Sequence, residues 1–131
     1  MREMEAVSNY LALEEARFED RLQIRYSIDP SASEFPVPPM MLQTLVENAV
    51  NHGIAQRPEG GDVSIRAGLE GGSLALEVEN TGHLSDGSGH GTRTGLRNVR
   101  ERLRLLYGDR AEVTLANSSA DHVKATVTIP A

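Results

Sequence analysis

The run Leu42-Gln-Thr-Leu-Val-Glu-Asn-Ala-Val-Asn-His-Gly53 constrains this chain most, because its apolar residues line up in only one regular form. Leu42, Leu45, Val46, Ala49 and Val50 recur at i, i+3, i+4, i+7 and i+8, which gathers them on one stripe of an α-helix. That stripe must face a core. The opposite side collects Thr44, Glu47, Asn48, Asn51 and His52. Neutral amides beside a carboxylate and an imidazole suit a metal ion and phosphate groups. A solvated helix face ended by an Asn-His cap at Gly53 accounts for the same residues equally well.

The segments around this helix change period in an ordered way. Residues 1–20 read as a helix with Met4, Val7, Leu11 and Phe18 near one side and acids on the other. From Leu22 the period is two: Leu22, Ile24, Tyr26 and Ile28 alternate with Gln23, Arg25 and Ser27 until Asp29-Pro30 ends the strand. After a loop with Pro36, the Pro38-Pro39 pair suits a first helical turn, so the helix is expected from about Pro38 to His52. Arg57-Pro-Glu-Gly-Gly61 breaks the chain. Val63, Ile65, Ala67 and Leu69, then Leu74, Leu76 and Val78, predict a hairpin turning around Glu70-Gly-Gly72. A loop of about fourteen residues with Gly82, Gly87, Gly89, Gly91 and Gly95 follows Asn80, long enough to suggest function or disorder. A helix from about 94 to 107 is expected to bury Leu96, Val99, Leu103 and Leu106. Val113 to Leu115, and then Val123, Ala125, Val127 and Ile129, predict a second hairpin. The expected fold is α+β, a two-layer α/β sandwich in which a mixed sheet of about five strands carries its helices on one face.

Composition narrows the rest. A chain of 131 residues with 39% apolar and 24% charged residues fits one soluble globular core. It has no cysteine, which removes disulfides and thiolate ligands. Its apolar runs are too short to cross a bilayer, and Met1 opens a charged segment without a signal core. The net charge of −6 argues against a nucleic-acid partner, although Arg97, Arg100, Arg102 and Arg104 form a local basic segment. Those arginines could meet phosphates or simply solvate an amphipathic helix.

In the order of these parts the chain resembles the Bergerat-type (GHKL, HATPase) ATPases, which include histidine kinases, MutL and type II topoisomerases. Within them it is most similar to the LytS/YehU-type sensor histidine kinases. Glu5-Ala-Val-Ser-Asn-Tyr-Leu-Ala-Leu-Glu-Glu-Ala-Arg-Phe18 resembles the helix leading out of that family's dimerisation region, which implies a division into residues 1–20, the end of a linker helix, and 21–131, a catalytic domain. Val37-Pro-Pro and Leu42-Gln-Thr-Leu-Val-Glu-Asn-Ala resemble the N box. Val78-Glu-Asn-Thr-Gly82 resembles the first glycine box, and Gly91 to Arg102 the second.

The resemblance implies ATP and Mg²⁺ as ligands and gives residues to hold them. Asn48 is the implied metal ligand, since a neutral amide oxygen reaches the ion without adding charge beside a triphosphate. Glu47 is the implied catalytic residue, orienting a bound water or the attacking group, and His52 an implied hydrogen-bond donor to a phosphate; Glu47 also reads as an ordinary helix-surface charge and His52 as a helix-end cap. Asn80 stands where the family has an Asp that grips adenine, with Gly82 after it. An amide can accept from the adenine amino group, but by rotating it can also donate to the guanine carbonyl. A loss of purine discrimination of about 1–3 kcal/mol is therefore expected. Gly91, Arg93, Thr94, Gly95 and Leu96 would form the phosphate lid and the helix N-terminus behind it. Two departures predict weak affinity: Arg93 replaces a lid glycine, and Asn51 stands where a lysine is common. Asn98 and Arg102 also fall at family positions.

None of the four histidines, His52, His83, His90 and His122, lies in a Pro-His-Phe-type acceptor motif. The expectation is a catalytic fragment that phosphorylates a histidine on an upstream dimerisation domain, within a homodimeric parent that signals to a response regulator. The parent is expected in the cytoplasm or anchored at the cell membrane. Three rivals share the site: a serine kinase of the anti-sigma-factor type, a degenerate pseudokinase serving as an interaction module, and a conformational ATPase that would need further domains. The opening helix argues against the first.

Overall fold

Alternating apolar residues build one mixed sheet, and the helices between its strands cover one side of it. The computed structural model describes residues 3–32, 35, 37, 41–52, 54, 59–82 and 93–130; the side chains of residues 3, 52 and 93–96 lie outside that description. The strands are β1 (Leu22–Ile28), β2 (Gly61–Glu70), β3 (Ser73–Thr81), β4 (Glu112–Ser119) and β5 (His122–Ile129), in the spatial order β1-β2-β3-β5-β4. The helices are α1 (Glu3–Phe18), α2 (Met41–His52) and α3 (Arg93–Tyr107). Short 3-10 turns, Glu19–Arg21 and Gly108–Arg110, lead from α1 into β1 and from α3 towards β4.

Chain connection explains the sheet's mixed direction. β1 and β2 run parallel, with Ile24 opposite Val63, because the α2 crossover between them returns the chain to the same end of the sheet. Tight turns join β2 to β3 and β4 to β5, which makes those pairs antiparallel, and β3 pairs antiparallel with β5 to unite the two hairpins. At the first turn Gly71 and Gly72 adopt φ of 59° and 86°, a left-handed pair that suits a two-residue hairpin and that side chains resist.

Strand alternation sends Val63, Ile65, Leu74, Leu76, Val78, Val127 and Ile129 towards the helices, where all are buried. α2 meets them with Leu42, Leu45, Val46 and Val50, and α1 adds Val7, Leu11 and Phe18 to the same core. Arg17 and Arg21 stack over the Phe18 ring, their guanidinium carbons 4.8 and 5.5 Å from its centroid.

α2 begins at Met41, and Pro38 and Pro39 lie outside the described residues. On α3 the buried stripe ends early: Val99 and Leu103 are buried, whereas Leu106 is 57% exposed and Tyr107 packs against the core in the last turn. The inward positions of α3 step by four, from Val99 to Leu103 to Tyr107, so Leu106 falls beside that stripe.

Candidate nucleotide site

The polar stripe of α2 is only partly open to solvent. α2 packs between α1 and α3 and against β3, so Thr44, Glu47 and Asn48 are half-buried while Asn51, one turn on, is exposed. The Asn48 Nδ2 atom is buried without a hydrogen-bond partner among the described residues. An amide end left so costs about 1–3 kcal/mol unless something else meets it. Half a turn about the last side-chain torsion exchanges Nδ2 for Oδ1, so the same position can offer a carbonyl oxygen to a hard cation. The residue therefore fits Mg²⁺ chemically.

Glu47 lies beside α1. The Tyr10 phenol on that helix is pushed up to about 12, first by burial and then by the negative charges of Glu14 and Glu47, with Arg17 opposing them. The charge of Glu47 thus lies close enough to α1 to act on Tyr10.

Asn80 is the one buried polar residue among the described residues, 8% exposed at the end of β3. It occupies a position that the strand turns towards the helices, between Val63 of β2 and Val123 of β5. Its Nδ2 donates to the Thr81 carbonyl at 2.9 Å. A carbonyl only accepts, so the end of the amide facing it must be NH₂, and rotating the amide to offer that donor elsewhere breaks this bond. The expected easy rotation towards guanine is therefore opposed. Gly82 follows at once, and its N–H donates to the Asp121 carbonyl at 2.9 Å.

The backbone of Arg93, Thr94, Gly95 and Leu96 forms the first turn of α3, whose free N–H groups are the kind that meet anions. Gly91 lies outside the described residues, as do the side chains of His52, Arg93, Thr94 and Leu96. The fold thus brings α2, with Glu47 and Asn48, against β3, with Asn80, and against α3. Asn98 is exposed on α3. Asp62, Thr81 and Tyr10 were not singled out from sequence. No local pattern joins residues 62 and 81, and only strand register makes them neighbours.

Known proteins share this fold. No family model matches the chain. The sensor histidine kinase BtsS of Escherichia coli K12 is 35% identical over 128 residues, covering 98% of this chain and 23% of that protein. The sensor protein LytS of Staphylococcus haemolyticus is 36% identical over 122 residues, 84% of this chain and 21% of that protein. This chain belongs to the LytS-type sensor histidine kinases. It spans under a quarter of the length of those relatives. Among solved structures, the catalytic domain of histidine kinase ThkA superposes with a TM-score of 0.74 at 15% identity, over 96% of this chain and 90% of that one. The histidine kinase domain of a blue-light activated kinase from Erythrobacter litoralis gives 0.67 at 18% identity, over 95% of this chain and 58% of that one. At such identities the likeness establishes the fold: the α+β sandwich is that of a histidine kinase catalytic domain. Among the described residues of this LytS-type chain, no helix is long and apolar enough to cross a membrane.

Proposed function

We propose that the chain binds Mg-ATP between α2, the end of β3 and the start of α3, and transfers the γ-phosphoryl group to a histidine of an upstream dimerisation domain. The observation that carries this reading is the pair of amides on packed elements: Asn48, with an orphaned buried end on α2, and Asn80, the buried polar group on an otherwise apolar strand face. Membership of the LytS-type kinases supports it.

In this reading Asn80 accepts from the adenine amino group, and Gly82 lets the backbone approach the base. Asn48 would hold Mg²⁺ through its amide oxygen, and the ion would screen the charge of the phosphates. Glu47 accepts a hydrogen bond from the attacking group and orients it. The first turn of α3, with Arg93, Thr94, Gly95 and Leu96, faces the phosphates with Gly91, and Asn51 and His52 close the α2 side. The phosphoryl group leaves ADP and bonds to an imidazole nitrogen of the acceptor. The parent would act as a homodimer that hands the phosphate to a response regulator, on the cytoplasmic side of a membrane if anchored. Residues 1–20 would connect to its dimerisation region.

Calorimetric titration with an unhydrolysable ATP analogue, with and without Mg²⁺, tests the site. Magnesium-dependent binding that Asn48→Ala abolishes is the expected result. Binding indifferent to Mg²⁺ and to Asn48→Ala would refute the assignment. Phosphate transfer to a supplied acceptor domain then separates a kinase from a pseudokinase, which would bind without transfer.

A further inference from the structure

The open face of the sheet carries a cluster that the nucleotide reading does not use. Thr81 of β3 lies between Asp62 of β2 and His122 of β5, its direct cross-strand partner. The Thr81 hydroxyl donates to Asp62 Oδ1 at 2.9 Å and accepts from the Asp62 backbone N–H at 3.0 Å. His122 bridges two carboxylates, with Nε2 3.1 Å from Asp62 Oδ1 and Nδ1 2.9 Å from Asp121 Oδ1. Ser119 Oγ adds a bond to Asp121 at 3.1 Å. Gly61 leaves room for this approach, since a Cβ there would stand 2.6 Å from that of Thr81.

A neutral imidazole donates from one nitrogen only, so two carboxylate partners favour the imidazolium. Burial of the ring disfavours the charge, but hydrogen bonds to Asp121 and Asp62 and their negative charges outweigh it, raising His122 above its ordinary 6.5. From β1, Arg25 faces the same group at 3.5 Å from Asp62 Oδ2 and opposes the charge. Lys124 of β5 and Glu79 of β3 occupy the next positions on this face, opposite each other and of opposite sign.

Through the backbone the cluster reaches the other side of the sheet. The Thr81 carbonyl holds the Asn80 amide, and the Asp121 carbonyl holds the Gly82 N–H. We propose that Asp62, Thr81, His122 and Asp121 form a proton-dependent clasp that positions Asn80 and Gly82 for the nucleotide base, with Thr81 and His122 as positioning residues. This rests on the nucleotide reading above. With His122 charged, its ring bridges β2 to the β4–β5 turn and fixes the end of β3 between them. When His122 loses its proton, one carboxylate loses its bond from the ring, the imidazolium no longer offsets the charge of Asp62 and Asp121, and the strand end loosens. The clasp is closed below the raised pKa of His122 and opens as pH rises through it.

The test is calorimetric titration of the chain with a magnesium-bound ATP analogue from about pH 5.5 to about pH 9, where a histidine titrates. His122→Gln, Thr81→Val and Thr81→Ser are run beside it, with thermal unfolding of each. Comparison at each pH cancels the nucleotide's own ionisation. The unsubstituted chain should weaken about three- to tenfold more than His122→Gln as pH rises, the worth of one hydrogen bond. Thr81→Val should weaken binding by a similar factor at low pH, and Thr81→Ser should restore it. Equal affinities and pH profiles alongside a lowered unfolding midpoint would overturn the proposal and leave a structural staple. Hydrogen exchange at the Gly82 amide reads the clasp without nucleotide. Protection of that amide, taken relative to the intrinsic exchange rate at each pH, that falls as His122 titrates and stays level in His122→Gln supports it; protection indifferent to His122 refutes it. A chain that binds no nucleotide sinks the site assignment, and with it the positioning role.

Discussion

The two faces of the sheet use the same strands for opposite chemistry. On the helix-covered face β3 presents Leu74, Leu76 and Val78 before ending in Asn80; on the open face the same strand presents Glu77, Glu79 and Thr81 among charged partners. Adjacent residues Asn80 and Thr81 therefore live in different media. The covered face is dry enough that a single amide stands out as a candidate ligand group. The open face is polar enough that only a cluster of bonds distinguishes Thr81 and His122 from ordinary surface.

The largest effect that sharpens this contrast is expected from truncating each face in turn. Leu76→Ala should cost about 2–5 kcal/mol of unfolding free energy in a denaturant titration, since Leu76 is fully buried. Gln23→Ala on the open face should stay within about 0.5 kcal/mol. Comparable losses would mean that the open face is covered by something.

Next in size is Asn80→Ala, which removes the one buried amide of the dry face. Nucleotide affinity should drop by about 1–3 kcal/mol, measured as the change in Kd, beside a stability loss of about 0.5–1.5 kcal/mol for the bond to the Thr81 carbonyl. The same titration with GTP as competitor addresses selectivity. Because Asn80 Nδ2 is tied to the Thr81 carbonyl, ATP should keep the advantage. GTP binding as tightly as ATP would show that the amide turns freely.

A smaller effect concerns stability against pH. His122 has a raised pKa in the folded chain, so its contribution is fully present below the unfolded value near 6.5 and is lost as pH rises through the folded value. Denaturant titrations across that window should show stability declining with pH in the unsubstituted chain relative to His122→Gln, and parallel curves would contradict the clasp geometry. The smallest effect is expected at Lys124, 3.7 Å from Glu77 on the open face. Lys124→Ala should cost about 0.2–1 kcal/mol, and less at high salt.

Much of this was legible in the sequence because periodicity reports burial directly. The stripe at Leu42, Leu45, Val46, Ala49 and Val50 gave α2 its core face, and alternation gave β1 its bounds, Leu22 to Ile28. The expected burial of Leu106 failed because a period of about 3.6 allows a step of three or four after Leu103, and the structure takes the step of four, to Tyr107. The ordered motifs fixed the family, which 35% identity to BtsS bears out.

The sequence by itself determined which segments are strands or helices and, apart from Tyr26, Leu69 and Leu106, which of their apolar residues turn to the core, since both follow from spacing along the chain. The tertiary structure alone decided which distant residues meet. Asp62, Thr81 and His122 become neighbours only through the pairing of β2, β3 and β5, and the direction of the Asn80 amide is set by one bond to a carbonyl. Such contacts depend on register between strands far apart in sequence, which local spacing does not encode.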